Sequence, residues 1–98
     1  MLESIQVIQD YTSGMDYDTF IADRRTVDAV IRNLNIIGEA ATHVPDEITE
    51  QYPEIPWAEM RGMRNIVVHV YFGVNLRIVW DTLQVNLPPL VTLLKRLL

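Results

Sequence analysis

The sequence contains no cysteine, which removes a disulfide framework, a thiolate metal site and a cysteine nucleophile together. It also lacks any apolar run approaching the roughly 20 residues that span a bilayer. The segment Met1-Leu2-Glu3-Ser4 has no basic region leading into an apolar stretch, so no membrane anchor is expected and the cytoplasm is the expected location. No alternating pattern of strand length, no internal repeat and no low-complexity tract occurs. Charge is sparse as well: 21% of residues are charged against 49% hydrophobic, the composition of a globular chain rather than a disordered one. A chain of 98 residues is expected to form one domain over its whole length, 1–98, burying roughly 65% of its unfolded surface.

The net charge of −5 gains meaning only when divided along the chain. Between Pro45 and Glu59 the charged residues are Asp46, Glu47, Glu50, Glu54 and Glu59, all negative; between Met60 and Trp80 they are Arg61, Arg64 and Arg77, all positive, with His69 among them. An overall acidic protein therefore carries one carboxylate-free stretch. A broad basic footprint for nucleic acid is absent, but a focused anion site is compatible with this pattern.

Helical spacing dominates. Leu2, Ile5, Ile8 and Tyr11 predict a first helix ended by Ser13-Gly14, and Asp16 to Ala22 a short second one. Val27, Val30, Ile31, Leu34, Ile37, Ala41 and Val44 mark one face of a long helix stopped by Pro45. Asp46 and Glu47 suit the positive end of a short helix reaching Tyr52. After Pro53 and Pro56, a further helix is expected from Trp57 to Tyr71 or Phe72, broken at Gly73. A last helical region runs from about Asn75 to Leu97, which Pro88 and Pro89 must kink or divide. The fold class is all-α.

The most informative segment is Arg64-Asn65-Ile66-Val67-Val68-His69-Val70-Tyr71. On a helix, Met60, Met63, Val67 and Val70 form an apolar stripe suited to the core or a dimer interface, and Arg61, Asn65, His69 and Phe72 form the neighbouring stripe, with Arg64 beside it. Arg64 and His69 are five residues apart, about 140° around the axis. One helix does not easily aim both at one atom, whereas two symmetric copies facing across a groove can, so a homodimer is expected. Gly62, costly inside a helix, would permit the close approach of a second backbone.

Arginine presents a planar, permanently charged fork that matches phosphate oxygens and stabilises charge growing on phosphorus. Histidine gives or takes a proton near neutral pH. Together they suit RNA cleavage without metal, with the ribose 2′-hydroxyl as nucleophile, which DNA lacks. Two His69 side chains in a dimer could divide the acid and base roles, or one could act alone as the acid. With no carboxylate on this helix after Glu59, a two-metal nuclease is disfavoured, and no metal or other cofactor is expected.

Arg64-Asn65 followed by four residues to His69 resembles the arginine-x4-histidine signature of HEPN domains, and His69-Val70-Tyr71 resembles the HepT toxin branch. The likeness extends through Asp28-Ala29-Val30-Ile31-Arg32-Asn33-Leu34, Ile37-Gly38-Glu39-Ala40-Ala41, Tyr52-Pro53-Glu54-Ile55-Pro56-Trp57, Gly62-Met63-Arg64-Asn65, Tyr71-Phe72-Gly73-Val74 and Val79-Trp80-Asp81-Thr82, and so covers essentially the whole chain. It implies a HEPN-type up-and-down helical bundle that dimerises and cuts RNA as the toxin of a prokaryotic toxin-antitoxin pair. The antitoxin it implies is a minimal nucleotidyltransferase that attaches AMP to the motif tyrosine, here Tyr71. Phosphates added beside Arg64 and His69 would fill the anion site and repel RNA. Three departures accompany the likeness: the chain is expected to begin inside the first helix, Val70 stands where an acidic or polar residue is common, and Asn75 stands where aspartate is common.

A lone histidine on an apolar helix is ordinarily a hydrogen-bonded core residue, and a lone arginine ordinarily a surface ion-pairing one. The spacing of Arg64 and His69, together with the family likeness, outweighs both. The expected catalytic set is therefore Arg64, His69 and Asn65, the last for positioning, with Tyr71 as the AMP acceptor. Arg61 and Glu39 are candidates for the groove or for RNA contact. Glu39 either pairs with an arginine there or points outward. His43 reads as a cation at a helix C-terminus, and Arg24 and Arg25 as solvent-facing side chains able to meet phosphates. From another functional class, the same dimer could bind a nucleotidyltransferase and RNA without cleaving; a purely structural helical protein ranks last.

Overall fold

The computed structural model describes the backbone of residues 1–71 and 76–97 and the side chains of residues 1–65 and 76–97. Within it the helices are α1 (Leu2–Thr12), α2 (Tyr17–Ala22), α3 (Arg24–Thr42), α4 (Asp46–Gln51), α5 (Trp57–Tyr71), α6 (Leu76–Asp81) and α7 (Leu87–Leu97), with a π-helical turn at Thr82–Asn86. No strand occurs among the described residues. No described helix is long and apolar enough to cross a membrane.

The helix limits follow from local chemistry. Gly14 takes φ 77° just past α1, a left-handed conformation open to a residue without Cβ, and this turns the chain towards α2. Asp16 caps α2 by accepting from the Thr19 backbone N–H at 2.8 Å. Asp23 caps α3 by accepting from the Thr26 N–H at 3.1 Å and the Thr26 hydroxyl at 2.9 Å. Each satisfies a donor that the first turn of a helix leaves without a partner. The long apolar face predicted from Val27 is therefore preceded by a further turn that starts at its cap. At the other end, His43 closes α3 two residues before Pro45.

Those caps leave a titration signature. The backbone N–H and then the hydroxyl of Thr26 hold the Asp23 carboxyl below its ordinary range. At Asp16 the side chain of Thr19 does so first and its backbone N–H second. A carboxyl depressed in the folded state contributes stability above its unfolded pKa and loses it as pH falls through the folded value. Asp23→Asn keeps an oxygen acceptor without a proton to take up. Its melting temperature is expected to fall less steeply than that of the wild type as pH drops from about 5 to about 2. Parallel slopes in thermal melts across that range would refute the assignment.

α3 packs most extensively against α5 and next against α1, α7 packs on α1, and α2 touches both α3 and α6. Its buried positions Val27, Val30, Ile31, Leu34, Ile37 and Ala41 meet Ile5 and Ile8 of α1, Phe20 of α2, and Met60 and Met63 of α5 in one core that also takes in Val79, Leu83, Leu87, Leu90 and Leu94. Met60 and Met63, at 0% and 3% exposure, are core residues of this chain. The expectation of core or dimer interface thus resolves to core for these two. Trp57 starts α5 on a buried ring whose Nε1–H donates to the Tyr52 carbonyl at 3.0 Å, crossing the Pro53–Pro56 turn and fixing where α5 begins.

The last helical region is divided, but ahead of its prolines. The Leu87 N–H reaches back to the Thr82 carbonyl, a bond across five residues that widens the helix. A proline ring collides with the carbonyl four residues earlier, here those of Gln84 and Val85, so the distortion falls one turn before Pro88 and Pro89. The prolines themselves follow directly on that wide turn, as the second and third residues of α7, and because they carry no backbone N–H they offer no donor to the carbonyls upstream.

Candidate functional site

The close crossing of α3 and α5 brings the polar edge of one helix onto the arginines of the other. Gly38 makes this possible: a Cβ there would lie 2.6 Å from Cγ and 2.7 Å from the backbone N of Arg64, and 3.3 Å from the Arg61 carbonyl oxygen. A real side chain does not fit at that separation, so the helix backbones approach where the sequence has no Cβ.

Around that contact, Arg64 is held from two sides. Its Nε donates to Glu39 Oε1 at 3.0 Å, and its Nη1 donates to the Thr42 hydroxyl at 3.4 Å. The Thr42 hydroxyl in turn donates to the Gly38 carbonyl at 2.8 Å. Glu39 therefore faces an arginine rather than solvent alone, and its second oxygen lies 3.7 Å from Nε2 of His43. Arg61 lies one turn back, with Nε donating to the Ala41 carbonyl at 3.5 Å. It places a cation against the carbonyls that end α3, the negative pole of that helix. This position makes Arg61 first a joint between α3 and α5.

The side chains of Arg64 and Glu39 are 44% and 46% exposed, so the guanidinium is fixed along one edge and open to solvent elsewhere. Glu39 takes the Nε hydrogen and Thr42 one hydrogen of Nη1, so these two contacts use two of the five guanidinium donors. The remaining donors can give hydrogen bonds to the oxygens of a phosphate. Asn65 is exposed next to it. Helix α5 continues without interruption to Tyr71, so the backbones of Arg64 and His69 are set about 140° apart and roughly 7.5 Å along the axis. The side chains of His69 and Tyr71 lie outside the described residues. Among the described residues no three His, Cys, Asp or Glu side chains converge as a metal site would require.

The family follows from comparison of the whole chain. The family model described as "Ribonuclease HepT-like" matches residues 1–97. The chain belongs to the HepT-like ribonuclease family. Within it, a Thermococcus cleftensis protein named probable ribonuclease HepT is 42% identical over 88 residues, covering 90% of this chain and 80% of the relative. A Methanocaldococcus jannaschii protein named as a candidate RNase is 40% identical over 88 residues, 90% of this chain and 73% of the relative. A protein with the same kind of name from Caldanaerobacter subterraneus is 36% identical over 98 residues, the whole of this chain and 88% of the relative. No solved structure matches.

Gly38 and Thr42 went unnoticed among the candidate residues read from the sequence. A glycine in the middle of a 19-residue helix costs about 1 kcal/mol relative to alanine, and that cost was the available signal. Gly62 is the converse case: a Cβ there would meet nothing within 4 Å, so no contact within this chain among the described residues requires it.

Proposed function

We propose that this protein is a metal-independent endoribonuclease toxin, acting as a homodimer of HEPN-type bundles. The observation that carries the reading is the Arg64 guanidinium, held by Glu39 and Thr42 while its side chain stays partly open to solvent, in a chain of the HepT-like ribonuclease family. Arg64 binds a phosphate of RNA and stabilises the charge that grows on its oxygens as the 2′-oxygen attacks phosphorus. The bond from phosphorus to the 5′-oxygen breaks, giving a 2′,3′-cyclic phosphate and a 5′-hydroxyl end. His69 moves a proton, most simply to the departing 5′-oxygen, while the 2′-hydroxyl proton passes to a base, which in the dimer can be the second His69. Asn65 orients the phosphate. The wide angular separation of Arg64 and His69 on α5, and the open face at Gly62, support a groove shared by two chains.

Tyr71, two residues after His69, is the control point in this reading. A minimal nucleotidyltransferase antitoxin transfers AMP from ATP to its hydroxyl, the tyrosyl oxygen bonding to the α-phosphorus as pyrophosphate leaves, and the added phosphates fill the anion site. The reading is tested with the purified dimer, Tyr71 unmodified, and a labelled RNA in EDTA. Cleavage with a 2′,3′-cyclic phosphate product is expected, together with resistance of the same strand carrying 2′-deoxyribose at the cut. RNA that is bound but left intact, or cut only after a divalent metal is added, would overturn it.

A further inference from the structure

We infer that Glu39 is the positioning residue for Arg64, an inference that rests on Arg64 being the phosphate ligand. An arginine on an exposed helix edge has many rotamers, and a phosphate fork works only in a narrow range of directions. Here the direction is set by α3. Glu39 takes the Nε hydrogen at 3.0 Å, Thr42 takes one from Nη1 at 3.4 Å, and the absent Cβ of Gly38 lets Cγ of Arg64 lie against the α3 backbone. The strongest of these three restraints is the charge-assisted one from Glu39. It engages the Nε hydrogen, and with one Nη1 hydrogen on Thr42 the donors left to the substrate are those of Nη2 and the second of Nη1.

A carboxylate beside a phosphate ligand also has a cost, because it repels the incoming anion. That cost separates positioning from mere support of binding. Removing Glu39 should leave RNA affinity unchanged or tighter, since a negative charge is lost, while the chemical step slows because the fork is no longer aimed. A residue that only supported the fold would lower affinity, rate and melting temperature together. A carboxylate acting as a brake would raise the rate when removed.

The experiment measures single-turnover cleavage at saturating protein alongside the affinity for an uncleavable 2′-deoxy strand, for wild type, Glu39→Ala, Glu39→Gln and Arg64→Ala. Glu39→Ala is expected to slow cleavage about 10- to 100-fold with affinity equal or higher. Glu39→Gln, which keeps an oxygen to accept from Nε, is expected to recover most of the rate. Glu39→Ala cleaving as fast as wild type, or faster, while Arg64→Ala is impaired would overturn the inference and leave the proposed function standing. Failure of Gln to rescue, or parallel loss of rate and affinity, would also overturn it. Arg64→Ala cleaving like wild type, or a wild type that cuts nothing, would remove the reading on which the inference rests and the inference with it.

Discussion

Arg64→Ala is expected to lower RNA cleavage by about 10²- to 10³-fold, the usual loss when one donor to a developing oxyanion is removed, with the chain still folded. The second half of that expectation comes from exposure. The Arg64–Glu39 pair is nearly half open to solvent on both sides, and ion pairs of that kind contribute only about 0–1 kcal/mol to stability. Arg64→Lys keeps the charge without the planar fork and should recover only part of the activity. His69→Ala should cost about 10²- to 10⁴-fold through loss of proton transfer. The double variant should be little worse than the poorer single one, because the two groups act in one step.

Mixing the single variants tests the shared groove. If Arg64 from one chain works with His69 from the other, a heterodimer of the Arg64→Ala and His69→Ala chains holds one intact site. An equal mixture that has exchanged subunits should then regain about a quarter of wild-type activity. Both residues working within one chain would give no recovery. Arg64→Ala retaining cleavage within about threefold of wild type, well short of the expected loss, would refute the assigned role outright.

The helices were legible because their ends carry local chemistry. Gly14, Asp16, Pro45, Pro56 and the apolar face beginning at Val27 act within a few residues of themselves, and the boundaries in the structure follow them closely. The division near Pro88 and Pro89 was legible as a necessity, but its place one turn earlier depends on how the carbonyls of Gln84 and Val85 escape the rings. The contacts of the candidate site are of a different kind. Glu39 and Arg64 are far apart in sequence, and periodicity tells which face of α3 is apolar without telling which polar residues on its flank α5 will cover. The crossing is set where two backbones can approach, which is Gly38. For that reason Glu39 could be read as facing an arginine or facing water, and Thr42 could not be read at all. The same reasoning gave Gly62 a close approach that no described residue of this chain makes.

Gly38→Ala is therefore the substitution expected to disturb this fold most for its size. In an isolated helix, replacing glycine with alanine stabilises by about 1 kcal/mol. Here the added methyl would stand 2.6 Å from Cγ and 2.7 Å from the backbone N of Arg64. The side-chain atom could rotate away, but the backbone atom moves only if α5 moves, and overpacking of this sort costs about 1–3 kcal/mol. The net effect is expected to be destabilising by about 1–2 kcal/mol in urea titrations, and larger for Gly38→Val, whose branched side chain adds volume at the same point. Because the displaced helix carries Arg64, cleavage should fall in conditions where the variant is still fully folded. Gly62→Ala supplies the contrast. With no described residue within 4 Å of its Cβ, it should stabilise the chain by about 0.5–1 kcal/mol, and a loss of activity without a loss of stability there is the result expected if a second chain packs against it. Gly38→Ala as stable as wild type would mean that α3 and α5 can separate without cost, and the rigid seat proposed for Arg64 would be lost with that result.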